Sequence, residues 1–251
     1  MSWRNGPRTR PPGDASERDR LPRAIAARLV RAGRLADAAA TTGTTAATPA
    51  RRGPPAKVPE RWSHDVFELI EWRRFEAVVE ALFAQGGFAT RSQPHGADGG
   101  VDIWLYSTHH AEGDAPVSIV QCKQWMRWKV GVQEVRALRG VMAQHGIVRG
   151  QFVTTSDFTA DAREFAAGNG IGLHDVDGLL ALIATRTREQ QAALLDVAFA
   201  GEWWRPTCAS CGIKLVERTA CQSGRPFWGC ENYGRGCTTQ MAMRHRPRMG
   251  A

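Results

Sequence analysis

No stretch of this 251-residue chain holds the ~18–20 consecutive apolar residues needed to span a bilayer. The N-terminus carries arginines but no apolar core of the kind a secretory signal has. These two absences argue against insertion or export, and the expectation is a soluble, cytoplasmic protein without a membrane partner. Cysteine is nearly missing outside one place, since five of the six lie between positions 208 and 237. In a cytoplasmic protein such clustering speaks for a metal site rather than a disulfide framework.

Acidic residues are also in short supply. The net charge is +8 and the pI about 9.7, which points to an acidic partner, of which nucleic acid is the commonest. That excess is local. Residues 1–60 hold twelve Arg and Lys against five acidic residues, a net of +7. The rest is close to neutral, so basicity by itself does not make it a DNA binder. Residues 1–60 are poor in aromatics and rich in proline, and are expected to be a disordered basic segment able to grip phosphate. A helix-like pattern at 23–40 has nothing after it to pack against.

From Ser63 the pattern changes. Phe67, Ile70, Phe75, Val78, Val79, Leu82 and Phe83 recur at three-to-four spacing until Gly86-Gly87, which predicts one long amphipathic helix. A short strand at 88–91 and a loop at 94–100 follow. Runs 101–107 and 117–123 are rich in β-branched and aromatic residues, with Gly113-Asp114 between them, and read as a hairpin. Beyond it the reading is helix 132–145, strand 149–155, helix 159–168, strand 171–175 and helix 176–184. This order predicts an α/β fold, a mixed sheet flanked by helices. The expected organisation is a basic segment 1–60, a catalytic domain 61–187, a connecting helix 188–205, a cysteine module 206–241 and a tail 242–251.

Phosphodiester cleavage needs a divalent cation against the phosphate, held by hard oxygen ligands, and a positive side chain to meet the developing charge. Asp102, at the head of the first hairpin strand, can supply the ligand, and Lys123, at the end of the second, the charge. Alternation puts Gln121 on the same face as Lys123, where its amide oxygen can join Asp102 on Mg²⁺. Glu76 on the first helix can add a carboxylate through water. Asp98 reads as a turn residue before glycines. Trp125, Trp128 and Lys129 follow closely and can stack on bases, contact phosphate or pack over the hairpin. His95, His109 and His110 read as solvated loop residues.

These residues carry a resemblance. Phe75-Glu76, Gly96-x-Asp98-Gly99-Gly100-Val101-Asp102 and Gln121-Cys122-Lys123 resemble the Mrr-like restriction endonucleases, a branch of the PD-(D/E)XK nuclease superfamily. Lys129-Val130-Gly131 and Val153-Thr154-Thr155-Ser156-Asp157-Phe158-Thr159 are similar as well, and the likeness covers residues 72–183. It implies a restriction-endonuclease-like fold with Asp102 and Lys123 as the catalytic pair. Glu76 would then match the first-helix Glu, and Gln121 the Gln that replaces an acidic residue. It further implies Mg²⁺-dependent DNA cleavage of the type IV kind, directed at modified foreign DNA. Cutting both strands at once would need a homodimer, for which the sequence shows no interface. The rival reading is a DNA-binding or repair accessory protein that keeps the fold without the chemistry.

Cys208-Ala209-Ser210-Cys211 is a tight knuckle, eighteen residues before Cys230, with Cys237 after six more. Four thiolates in two pairs fit a closed, tetrahedral, structural zinc site. A segment of ~35 residues cannot bury enough apolar area alone, so the metal would supply much of its stability. Cys221 is expected outside the ligand set. The segment resembles the four-cysteine zinc ribbon of bacterial type I topoisomerases through Cys208-x-x-Cys211-Gly212, Leu215-Val216, Arg218, Phe227-Trp228-Gly229-Cys230 and Asn232-Tyr233. Phe227, Trp228 and Tyr233 are expected to offer stacking faces and Arg218, Arg225 and Arg235 phosphate contacts, a mixture suited to single-stranded or distorted DNA.

Overall fold

A computed structural model of the chain describes residues 57–92 and 100–243. The expectations for the basic segment 1–56, for His95 and Asp98 and for the tail beyond 243 lie outside them.

The long first helix is two helices. α1 spans His64–Leu69 and α2 spans Trp72–Gln85. Ile70 and Glu71 between them are extended, and the Glu71 side chain accepts from the Arg73 N–H as the cap of α2. Apolar spacing runs through this break unaltered, which is why periodicity predicts a single helix. A competing local hydrogen bond ends it, together with partners of Glu71 far along the chain. Gly86 and Gly87 stop α2 as expected, Gly87 turning the chain at φ 89°.

Five strands follow: β1 Phe88–Ser92, β2 Ile103–Ser107, β3 Ser118–Lys123, β4 Gly150–Thr154 and β5 Ile171–His174. They lie in the order 1-2-3-4-5, antiparallel up to β3 and parallel from β3 to β5. The parallel crossovers carry α3 Val132–Gln144 and α4 Ala160–Ala167. The central strand β3 is buried on both faces, as a strand covered by helices on each side must be. On one face Ile103, Leu105, Val120 and Cys122 pack under Phe75, Val78, Val79 and Leu82 of α2. On the other, Trp104, Ile119 and Phe152 pack under Val135, Leu138 and Met142 of α3 and Ala162 and Ala166 of α4.

Two more helices, α5 Val176–Ala184 and α6 Arg188–Ala198, join the α2 face through Leu179, Ile183, Leu194 and Ala198. The connecting segment 188–205 is thus packed into the core, with Trp203 in the same cluster. Beyond it, β6 Val216–Thr219, β7 Pro226–Gly229 and β8 Gln240–Ala242 make a three-stranded antiparallel sheet. Among the described residues no helix is long and apolar enough to cross a membrane.

Leu194 is fully buried against α2. Leu194→Ala is therefore expected to cost about 2–5 kcal/mol in urea denaturation. An unchanged midpoint would show α6 to be a loose connector.

Candidate active site and cysteine centre

Asp102 stands one residue before β2. Its N–H donates to Val120 O at 3.0 Å, which extends the β2–β3 ladder to the sheet end. Its Oδ2 accepts from the Cys122 N–H and from Gln121 Nε2, each at 2.6 Å. Two donors on one carboxylate oxygen fix the side chain before any ligand arrives. Because β2 and β3 are antiparallel, the head of β2 and the tail of β3 share one edge of the sheet. Asp102 and the half-buried Lys123 therefore stand at that same edge, and Gln121 and Lys123 share a strand face.

The structure adds a role for Gln121. Its amide N–H group, not its oxygen, faces Asp102, and Oε1 lies against Gly100. Gly100 has φ 89°, and a Cβ there would stand 3.0 Å from that oxygen. Only glycine suits both the backbone and the approach.

Glu76 reaches the same edge from α2. It is 8% exposed, and Arg73 donates to its Oε2 at 2.6 Å. Burial, and next the Asp102 carboxylate, raise its pKa from the usual 4.5 to about 7, against the pull of Arg73. Two carboxylates that oppose each other's ionisation are hard oxygen donors of the kind a divalent cation takes, so the donor set is compatible with the expected Mg²⁺. Cys122, fully surrounded on the α2 face, is pushed well above the usual thiol range by burial and by the charges of Asp102 and Glu76. It stays a thiol, not a nucleophile.

The segment after Lys123 is pinned to β4 and its following loop. The hydroxyls of Thr155 and Ser156 donate to the carbonyls of Trp125 and Trp128. Lys129 pairs with Asp157, which also pairs with Arg163. Trp125 packs partly against the α3 face, while Trp128 is 76% exposed. Lys129 is thus engaged with a carboxylate, and Trp128 is the aromatic left open to a ligand. His109 and His110 are exposed in the β2–β3 loop.

In the cysteine module, the ligand atoms of Cys208, Cys211, Cys230 and Cys237 all lie within 4.8 Å of one another. The Cys208–Cys237 sulfur separation of 3.7 Å matches the ~3.8 Å edge of a tetrahedron with ~2.3 Å Zn–S bonds. The four thiols thus fit a single metal ion. Burial pushes the Cys230 thiol up to about 12, whereas hydrogen bonding to Thr239 holds Cys237 down at about 6. Cys221 is exposed and outside the cluster.

Two expectations for this module need correction. Trp228 is only 9% exposed and packs with Cys208, Leu215 and Cys230, where Ile213, Met241 and Met243 also close on the module's small core. Arg218 lies over Gly229, where a Cβ would come within 2.6 Å of its side chain, and donates to Cys230 O. Tyr233, 58% exposed, and the exposed Arg225 and Arg235 remain open to a partner.

The residue that sequence reasoning missed is Glu71. It is 5% exposed and accepts from the Thr207 N–H and hydroxyl and from Lys214 Nζ, all in the cysteine module, at 3.0–3.1 Å. Its place just before Trp72-Arg73 was the available signal, since an acidic residue there is a competent helix cap.

Residues 67–183, just under half the chain, match the family Mrr_cat, described as restriction endonuclease. An uncharacterized protein of Sinorhizobium fredii (strain NBRC 101917 / NGR234), y4cE, is 34% identical over 103 residues, 41% of this chain and 26% of that one. The match therefore spans about a quarter of that relative's length. Solved structures with some likeness include the DNA modification-dependent restriction endonuclease AspBHI, at 22% identity and TM-score 0.42 over 60% of this chain and 44% of that one. MspJI restriction endonuclease in complex with a 27-mer oligonucleotide matches at 18% and 0.38, over 53% of this chain and 33% of that one. A protein of unknown function, AF1548, matches at 18% and 0.36, over 48% and 66%.

A raised folded-state pKa means that Glu76 stabilises the fold fully below about pH 4.5, and that this contribution is lost as pH rises through about 7. In Mg²⁺-free buffer the urea midpoint is expected to fall between about pH 5 and pH 8. Glu76→Gln should flatten that fall, and an unchanged slope in the variant would assign it elsewhere.

Proposed function

We propose that this chain, whose residues 67–183 are a restriction endonuclease domain, is a Mg²⁺-dependent DNA endonuclease directed at modified DNA, with a structural zinc in its C-terminal module. The observation that carries the reading is the meeting of Asp102, Gln121 and Glu76 at one sheet edge, with Lys123 ending the neighbouring strand there. The proposed organisation is the catalytic domain 61–187, the packed connector 188–205 and the zinc ribbon 206–241, acting in the cytoplasm and as a homodimer where both strands are cut.

Asp102 and Glu76 would hold the cation, with Gln121 keeping Asp102 oriented. When bound, that ion lowers the pKa of its water and offsets charge on the scissile phosphate. Lys123 brings a cation that stabilises charge developing on the phosphoryl oxygens and orients the attacking water. Burial of Glu76 keeps bulk water from competing with these contacts. Trp128, held on a pinned loop yet exposed, suits stacking on an unpaired base beside the cut. In the module, Cys208, Cys211, Cys230 and Cys237 would hold zinc without touching substrate, leaving Tyr233, Arg225 and Arg235 for DNA.

Plasmid cleavage with Mg²⁺ tests the chemistry. Asp102→Ala and Lys123→Ala are each expected to slow it by about 10²–10³-fold. Matched methylated and unmethylated plasmids should differ in rate. If wild type and both variants behave alike on either plasmid, the non-cleaving accessory reading replaces this one.

The module's share in DNA binding is testable by point substitution. Arg225→Ser with Arg235→Ser should lower the salt slope of single-strand affinity by about 1.4, at roughly 0.7 per phosphate contact. An unchanged slope would leave the module without phosphate contacts.

A further inference from the structure

Resting on the nuclease reading above, we infer that the cysteine module is a clamp on the active-site helix, and that Glu71 is the positioning residue through which the module sets where Glu76 stands. Thr207 immediately precedes the first cysteine of the knuckle, and Lys214 follows the second by three residues. The knuckle itself is closed by Cys208 N–H to Ile213 O and Gly212 N–H to Cys208 O, each at 2.8 Å, and Thr207 bridges to Lys214. A metal held by Cys208 and Cys211 would brace that knuckle. The two residues it brings together converge on one buried carboxylate: Glu71 Oε1 takes Thr207 Oγ1 and Lys214 Nζ, and Oε2 takes the Thr207 N–H. Trp72, the first residue of α2, adds an indole N–H to Thr207 O at 2.8 Å.

From Glu71 the connection continues inward through a single residue. The Arg73 N–H donates to Glu71 Oε2 at 3.1 Å, while the Arg73 guanidinium donates to Glu76 Oε2. Arg73 thus has its main chain held by the module's partner and its side chain holding the candidate metal ligand. The module's own core of Cys208, Leu215, Trp228 and Cys230 is too small to keep the knuckle shaped alone. If the knuckle opens, Glu71 is left as a buried charge without Thr207 and Lys214, and the first turn of α2 must move to give it water. Glu76, five residues on and buried beside Asp102, moves with that turn.

The test uses the full chain and reads the nuclease site without turnover. Mn²⁺ binding is followed by the EPR signal of the free ion, alongside zinc content and the kcat and KM for plasmid. Glu71→Gln and, as a second variant that leaves the cap of α2 intact, Lys214→Met should retain zinc. Both should weaken Mn²⁺ binding and lower kcat by about tenfold, with KM for DNA little changed. Glu71→Asp should recover part of the loss. Releasing zinc from wild type with a mercurial should weaken Mn²⁺ binding similarly and add little in Glu71→Gln, because both act on one connection. If the variants stay folded and lose thermal stability while Mn²⁺ affinity and kcat match wild type, Glu71 is only a joint and the clamp is overturned. Asp102→Ala separates the two failures: should it cleave like wild type, the nuclease reading falls, whereas an inert Asp102→Ala beside a fully active Glu71→Gln removes the clamp alone.

Discussion

Two carboxylates, Glu71 and Glu76, are buried within two turns of one helix, and much of the molecule is arranged around how each is accommodated. A buried charge is tolerated only with partners, and the pair divides along that line. Glu71 collects three donors from the cysteine module and one from Arg73, and is thereby a satisfied, fixed charge. Glu76 has, among the described residues, the single donor Arg73, and it faces the Asp102 charge, which together with burial raises its pKa to about 7. A satisfied carboxylate holds structure. One whose ionisation is opposed by its surroundings is a group whose charge a bound cation would relieve, and such perturbed groups concentrate where chemistry is done.

The sheet makes the second half of the site by changing direction at β3. Antiparallel pairing on one side brings Asp102 alongside Gln121 and Cys122, and parallel pairing on the other lets the chain leave along β4 and return over the edge. The Lys123 carbonyl is consequently fastened by the hydroxyl of Thr154 and the N–H of Thr155, so the lysine sits on a backbone with little freedom. A site built on strand ends braced in this way keeps its geometry without the substrate.

Much of this was readable because it is local. Alternation in β2 and β3, the glycines closing α2, and the helix Val176–Ala184 all follow from near neighbours, and the structure returns each within a residue or two. What escaped is what distant residues decide. The break at Ile70–Glu71 interrupts a run whose apolar spacing is unbroken, and the reason lies 136 residues away at Thr207. Local sequence offers Glu71 at most as a helix cap, and its burial is decided by partners far along the chain. Trp228 reads as an exposed stacking face because alternation in a three-stranded sheet does not say which face is covered when the core is four residues. Gln121 was recognised, but which end of its amide meets Asp102 is settled only by the donors and acceptors around it.

The distribution of charge bears on the proposed contact with DNA. Outside residues 1–60 the chain is close to neutral, and several of its cations are already engaged: Lys129 and Arg163 with Asp157, Lys214 with Glu71, Arg205 with Glu202. The cations engaged in this way are a minority, and total charge by itself is a poor guide to where a duplex would lie. Affinity measured on the full chain would mix the basic first 60 residues with the module. On the proposed function, cleavage would depend instead on whether the scissile phosphate reaches the edge shared by Asp102 and Lys123. On the proposed clamp, deleting the module would change both quantities at once, because it removes the donors that hold Glu71 at the head of the helix that carries Glu76.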